Sequence, residues 1–469
     1  MAAAVDKPKV LIVGAGLGGL VLGALLEKAD IPYMIFERTS AVKPLGSAIA
    51  VGSNLLPLFI QLGIYDEFVA LSRNVESCIV SREDKGALVH LDLSPKDELT
   101  GYLQYIVARP LLYDLLLKQV PSDKIHFNKR ILTIKDEDNR VTIQAADNSV
   151  YEGDVLVGAD GAYSAVRQRL YQKLKMEGKL PKSDQEELPF SCTCLVGQTE
   201  PLDYESTFPE FTVPTPPFYN TLGDKEPFTY VLFATAQSTI TWMVIHHLDA
   251  KSSKAAEDQR FRESENSEWG PQAAQAMCDE TKHFPLPIGA KKMTMGDIYD
   301  ITPKEQISKV MLEEKVFDTW YSGRIALLGD ACHKLDPAGG HGAVTSMHDA
   351  LAIANLLYAL PSNTTKEIEK SFAEYQAERC PPAVEAYKAS EAMATFMNRG
   401  FVGTIALFVL KHMPRFLWKA FLKGTIRQRP TCGFLPEVED RKGVVPADVS
   451  PSAERARAVY KKRQSAAPL

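Results

Sequence analysis

The sequence predicts an α/β protein: a discontinuous Rossmann-like domain, a mixed or antiparallel-sheet domain, and a helical C-terminal region. Three observations carry that prediction. The apolar run Lys9-Val10-Leu11-Ile12-Val13 leads into a glycine-rich turn and then helical sequence. Segments that alternate like antiparallel strands, Phe190–Gly197, Thr229–Phe233 and Ile240–His246, follow a charged, proline-bearing break at 171–189. A last apolar strand, Arg324–Leu328, then leads back into glycine-rich sequence at 329–342.

The elements follow in order. Lys9–Val13 reads as a buried parallel strand and Leu17–Ala29 as a helix. Pro32 closes the turn before a second strand, Tyr33–Phe36, completing a βαβ unit. Val10–Leu26 is seventeen residues without a charge, but Gly14, Gly16, Gly18, Gly19 and Gly23 mark it as strand, turn and helix rather than a signal core or membrane span. Val141–Gln144 and Asp154–Val157 continue the first domain, and 250–283 is polar with helical stretches. The expected division is 1–185 for the first part of the nucleotide domain, 186–310 for the substrate domain and 311–380 for the returning part. A helical region at 381–445 and a mobile tail at 446–469 complete it. At 469 residues, more than one packed unit is expected.

Composition narrows the function classes. The balance of 45% hydrophobic and 24% charged residues is that of a soluble globular chain. A net charge of −6 argues against nucleic acid as a partner. Seven scattered cysteines, with Cys192 and Cys194 alternating on one strand, read as reduced thiols of an intracellular, cytoplasmic protein, and no metal site is expected.

Three motifs carry the chemistry. Gly14-Ala15-Gly16-Leu17-Gly18-Gly19 has the G-x-G-x-x-G spacing at the strand-to-helix turn, where backbone approaches a pyrophosphate on the helix N-terminus. Glu37 ends the second strand, where a carboxylate can accept ribose hydroxyls. Gly158-Ala159-Asp160-Gly161, with Ser164 and Arg167 behind it, follows another buried strand. The third motif is Gly329-Asp330-Ala331-Cys332-His333, then Pro337, then Gly339-Gly340-His341-Gly342-Ala343. Its aspartate suits a ribityl chain, and a helix starting near Gly342 would aim its amides at the flavin N1–C2=O edge. Together these point to FAD.

In this order and separation the motifs resemble the single-component FAD-dependent monooxygenases of the aromatic hydroxylase type. That family includes salicylate hydroxylase, zeaxanthin epoxidase and the fungal secondary-metabolite epoxidases. The resemblance covers about residues 8–443, because Arg429-Pro430 and Phe434-Leu435-Pro436 are similar to the closing segment of the fungal members. It implies cofactor contacts from Gly14, Gly16, Gly19, Glu37, Ala48, Arg109, Asp160, Asp330, Gly342 and Ala343. It further implies that NAD(P)H reduces FAD and leaves, and that O2 forms a flavin C4a-hydroperoxide. One oxygen atom then passes to a small molecule. The chain departs from the family at Asp336, where a second proline is usual, and at Val344 and His348, which replace a common Asn and Glu. It also lacks an arginine in Phe190–Gly197 that some relatives place in the substrate pocket.

These features favour epoxidation or hydroxylation of an apolar, electron-rich secondary metabolite. Hydroxylation of a simple phenolic or aromatic acid is the alternative, and a flavin-dependent reductase or a non-enzymatic nucleotide-binding module represent other classes. Tyr219 and Tyr230 are candidate proton donors on the presumed pocket sheet, and of the paired His246 and His247 at most one faces the pocket. His333 and His341 flank the flavin loop and read as hydrogen-bonding loop residues more readily than as catalysts. Residues 401–423 mix apolar and basic residues, which allows peripheral membrane contact as well as packing on the domain.

Overall fold

The computed structural model describes residues 7–41, 48–83, 86–137, 139–186, 190–223, 227–248, 268–269, 271–335, 340–397, 401–439, 441 and 443–466. Its centre is a six-stranded sheet, in the order Tyr321–Ser322, Ile325–Leu327, Val155–Gly158, Val10–Val13, Tyr33–Phe36, Ile125–His126. All neighbours pair parallel except the Tyr321–Ser322 edge. Val10–Val13 and Val155–Gly158 are buried along their whole length, as both-sided cover by helices requires. Helix Leu17–Lys28 lies against helix Gly342–Tyr358, so the start of the chain and its returning part share one core.

The second sheet has eight strands, in the order Glu268–Trp269, Ser308–Glu313, Phe190–Gln198, Ile240–His247, Phe228–Ala234, Phe218–Leu222, Ser77–Arg82, Gly86–Asp92. It is antiparallel except where Phe218–Leu222 runs parallel to Ser77–Arg82. The last two strands come from the segment assigned by sequence to the nucleotide domain. Their alternation carries no tag for which sheet they join, and pairing with Phe218–Leu222 decides it. Strand period two divides the sheet. Tyr219, Phe228, Tyr230, Trp242 and Val244 pack into a cluster with helices Pro271–Thr281 and Met295–Asp300. Cys192, Cys194, Val231, Met243 and Ile245 face the other way. None of the seven cysteines is disulfide-bonded.

The tail expected to be mobile is instead a docked helix, Pro451–Ala466. Glu378, on the long helix Thr365–Met397, accepts Ser452 N–H at 2.8 Å and Ser452 Oγ at 3.0 Å, capping it from outside. Ala456 is fully buried, and the Arg463 guanidinium lies 4.5 Å from the Tyr358 ring centroid. Gly433 lets the tail approach: a Cβ there would stand 2.1 Å from Ala453 O. The polar composition of the tail hid a narrow buried stripe of small residues.

Two predictions follow from this packing. Gly433→Val meets backbone, which cannot move aside, so it should cost about 1–3 kcal/mol. Limited proteolysis should then cut within 451–466 in the variant and not in the wild type. His348 sits on the returning helix with Nε2 2.8 Å from Asn54 O, and burial, then Arg379, pull its pKa down to about 3. The unfolded chain therefore binds the proton first, and stability falls as pH drops from the ordinary histidine range toward 3. His348→Gln keeps a neutral donor, and its unfolding free energy from urea titration should fall less between pH 7 and pH 5 than that of the wild type, by about 2 kcal/mol.

Candidate flavin site and substrate cavity

Register brings the three motifs together. Val13 pairs with Gly158 and Gly158 with Leu327, so Gly14, Ala159 and Leu328 leave three adjacent parallel strands at the same edge. A Cβ on Gly14, which has φ +109°, would lie 2.3 Å from Ala159 O. A Cβ on Gly19 would lie 2.1 Å from Gly14 O. These two glycines serve packing of the turn itself. Gly16 differs: nothing lies within 4 Å of the position its Cβ would take, and it lines the cavity. It is the N-cap of helix Leu17–Lys28, with no side chain accepting the first amides. That is a cradle shaped for an anionic group.

The acidic residues divide into different tasks. Glu37 accepts Ala15 N–H at 3.0 Å and Thr39 N–H at 3.0 Å, one on each oxygen, bracing the glycine turn. Asp160 accepts Ser164 Oγ–H at 2.5 Å, Ala165 N–H at 2.7 Å and Val166 N–H at 3.2 Å, capping helix Ala165–Met176. Arg167 of that helix donates to Ala331 O at 2.8 Å and Ala162 O at 2.5 Å, lashing the second motif to the third. Asp330 lines the cavity, with Lys334 Nζ 2.8 Å from Oδ2 and Arg109 also on the cavity wall. Burial opposes its charge, but Lys334, then His333 and Arg109, outweigh it and hold the carboxyl below its ordinary range.

His333 turns away from the cavity. Its Nε2 is 2.6 Å from Asp349 Oδ2, and the same carboxylate accepts Gly329 N–H and Arg379 Nε–H, each at 3.0 Å. His333 and Asp349 are fully buried and Arg379 nearly so. Burial opposes the Asp349 charge, but His333, Arg379 and the Gly329 amide hold it below the usual carboxylate range. Among the described residues, Cys332, His333 and Asp349 bring ligand-type atoms within 4.8 Å of one another. The Arg379 cation already occupies that carboxylate, and burial keeps the Cys332 thiol protonated, so the cluster reads as an ion-paired anchor for the loop. His341 is the N-cap of helix Gly342–Tyr358, whose first residues Gly342 and Ala343 line the cavity.

Strand Ala48–Val51 pairs with Tyr105–Ala108 in the register Ala48 with Ala108, which sets Ala48 and Arg109 at one edge. Both line the same cavity, of 540 Å³, as do Gly16, Asp330 and Ala343. Gly46, Ser47, Asp336, Pro337 and Gly339 lie outside the described residues. The open cradle at Gly16, the uncapped helix starts at Gly16 and Gly342, and the charged pair near Arg109 suit FAD in donor chemistry and space.

The opposite wall of the cavity is the eight-stranded sheet. Phe218, Val231, Phe233, Met243 and Ile245 supply apolar surface, and Asn220, Thr229 and His247 supply polar groups. His247 Nε2 lies 3.1 Å from Thr229 Oγ1. Tyr219 and Tyr230, the candidate proton donors, are one residue out of phase and point into the cluster on the far face. There the Tyr230 hydroxyl donates to Pro285 O at 2.5 Å, and Tyr219 packs against Phe211. His246 stacks on Phe228 with ring centroids 4.2 Å apart, leaving His247 as the cavity-facing member of the pair. The signal for Asn220, Thr229 and His247 was the strand alternation; which parity faced the flavin was not in it.

The chain is 27% identical to the FAD-dependent monooxygenase atmM of Aspergillus flavus over 92% of this chain and 87% of that one. It is 29% identical to ptmM of Penicillium ochrochloron, also an FAD-dependent monooxygenase, over 84% and 90%. The fold is similar to that of Klebsiella pneumoniae HpxO complexed with FAD and uric acid, at 19% identity with a TM-score of 0.69 over 90% and 97% of the two chains. A salicylate hydroxylase substrate complex is similar at 18% identity with a TM-score of 0.64, over 90% and 98%. Residues 7–390 match the FAD binding domain family, and with so much of its length matched the chain belongs to that family.

Proposed function

We propose that the protein is an FAD-dependent monooxygenase that uses NAD(P)H and O2 to oxygenate an apolar, electron-rich secondary metabolite. The observation that carries this reading is the cavity itself: flavin-type loops form one wall and a largely apolar sheet face forms the other. Bound FAD supplies acceptance of hydride from the nicotinamide and activation of oxygen. Gly14, Gly16 and Gly19 would shape the turn for the pyrophosphate, and Glu37, which braces that turn, would receive the ribose hydroxyls. Asp330, Arg109, Ala48, Gly342 and Ala343 would hold the ribityl chain and ring. Asp160 would act through its helix cap: it accepts from Ser164 Oγ–H and the Ala165 amide, and Ser164 Oγ in turn accepts the Arg167 amide.

The protein's part in the reaction is orientation and exclusion of water. Ile49, Ile106, Phe218, Val231, Phe233 and Ile245 line the cavity with apolar surface. His247, braced on Thr229, and Asn220 offer a polar anchor for one hydroxyl, carbonyl or N–H of an otherwise apolar substrate. Among the described residues, the sheet wall presents no carboxylate to ionise a phenol. An alkene needs none, being already nucleophilic, and this favours epoxidation over ring hydroxylation. Relatives from Aspergillus and Penicillium named FAD-dependent monooxygenases support the same class of chemistry.

Gly16→Val fills open space rather than clashing, so the variant should fold normally and bind FAD at least a hundredfold more weakly. Flavin absorbance after gel filtration and circular dichroism check the two halves. In product mass spectrometry under labelled oxygen, with prenylated polycycles, indoles and phenols as a panel, the wild type should insert one labelled atom into an apolar polycycle. A colourless protein that FAD cannot reconstitute, or NAD(P)H oxidation that never labels a product, would remove the proposal. His247→Ala should raise KM tenfold or more with flavin reduction unchanged, and Tyr219→Phe and Tyr230→Phe should leave turnover within about twofold. A polar anchor of this kind is worth roughly 1–3 kcal/mol.

A further inference from the structure

We propose that helices Phe401–Lys411 and Arg415–Thr425 form a platform that docks on the surface of an anionic lipid bilayer. Six large apolar side chains are exposed on these two helices: Ile405 46%, Phe408 64%, Val409 51%, Phe416 70%, Leu417 47% and Phe421 57%. They include every exposed phenylalanine among the described residues. Ile405, Phe408 and Val409 share one helix face by their i, i+3, i+4 spacing. Leu417 and Phe421 stand one turn apart, with Phe416 beside them.

The opposite faces are seated on the protein. Leu407 and Leu410 pack against the cluster of Val80, Val89 and Leu222. Leu422 and Ile426 pack with Leu99 and Val445, and Trp418 Nε1–H donates to Asp92 O at 2.5 Å. The exposed apolar side is therefore held outward by its own anchors.

Charge selects the partner. From 401 to 427 there are five basic residues, Lys411, Arg415, Lys419, Lys423 and Arg427, and no acidic one, in a chain of net charge −6. Glu98 is shared by Lys419 and by Arg415 at 3.9 Å, and Asp448 pairs Arg427, while Lys411 and Lys423 are exposed. An apolar face rimmed by cations fits acyl chains beneath anionic headgroups. A second copy of the chain would set cations against cations. Each helix has eleven residues, about 16 Å of length against a hydrocarbon core of roughly 30 Å, so this platform lies on a bilayer. Among the described residues no helix is long and apolar enough to cross a membrane.

The platform also adjoins the cavity. Phe218 lines the cavity and packs against the same cluster that receives Leu407 and Leu410. An apolar substrate dissolved in the bilayer would thus be held near the site; this last point rests on the proposed substrate class, whereas docking does not.

The test is sedimentation of the FAD-loaded protein with phosphatidylcholine vesicles, with and without phosphatidylserine, in the absence of substrate. Wild type should pellet with phosphatidylserine vesicles at least tenfold more than with neutral ones, and less at high salt. The triple variant Phe408→Glu, Phe416→Glu, Phe421→Glu should lose that binding while keeping its flavin absorbance and melting temperature. Lys411→Glu with Lys423→Glu should weaken it in variants whose apolar face is intact. Equal pelleting of wild type and the triple variant would overturn the proposal. So would a wild-type dimer in light scattering that the triple variant dissolves and that ignores vesicles. Because no turnover is measured, a wrong substrate class leaves the result readable.

Discussion

Parallel pairing of three strands in one register is the constraint on which the site depends. Val13, Gly158 and Leu327 end level with one another, though more than three hundred residues separate the first from the last. The loops that follow must then share a small volume. Gly14 has room for nothing but hydrogen against Ala159 O, and Arg167 crosses from the second motif to Ala331 O in the third. The third loop is pinned in turn by Asp349, whose carboxylate gathers Gly329, His333 and Arg379 at the base of helix Gly342–Tyr358. A buried carboxylate with three donors is stabilising only while all three are present, since losing one leaves charge uncompensated. The start of the flavin loop is thus anchored on a buried, hydrogen-bonded ion pair.

Electrostatically the cavity has two unlike walls. Arg109, Asp330 and Lys334 stand on the side of the flavin loops, and among the described residues the sheet side presents Asn220, Thr229 and His247 set in hydrocarbon. The proposed function assigns the charged nucleotide to the first wall and an apolar substrate to the second. The sheet keeps this division because its strands alternate: helices Pro271–Thr281 and Met295–Asp300 cover one face, and the other is left to the cavity. Tyrosines useful for proton transfer in principle are spent on the covered face, where the Tyr230 hydroxyl reaches Pro285 O and the Tyr219 ring packs against Phe211.

The C-terminal third extends the same economy of surfaces. Helix Thr365–Met397 supplies Arg379 to the buried anchor and Glu378 to the tail helix, so one element ties the cofactor loop to the end of the described chain. Helices Phe401–Lys411 and Arg415–Thr425 cover the edge of the substrate sheet with one side and leave the other apolar and cation-rimmed.

The sequence by itself made legible the opening strand–turn–helix unit and the residues of the glycine turns. Gly14, Gly16, Gly19, Glu37, Asp330 and Gly342 were readable because a tight turn and a helix start constrain residue type locally, within a few positions. Strands such as Phe228–Ala234 and Ile240–His247 were readable because alternation is also local. What each strand face meets is not local. Whether Tyr230 or Thr229, His246 or His247 looks at the flavin depends on which side the helices cover, and only packing decides that. The same holds for Ser77–Asp92, claimed by the substrate sheet through pairing with Phe218–Leu222, and for Asp349, an ordinary helix residue until Gly329, His333 and Arg379 converge on it. The tail completes the contrast: Pro451–Ala466 is polar by composition, and its stable helix exists because Gly433 leaves space and Glu378 supplies a cap from elsewhere in the chain.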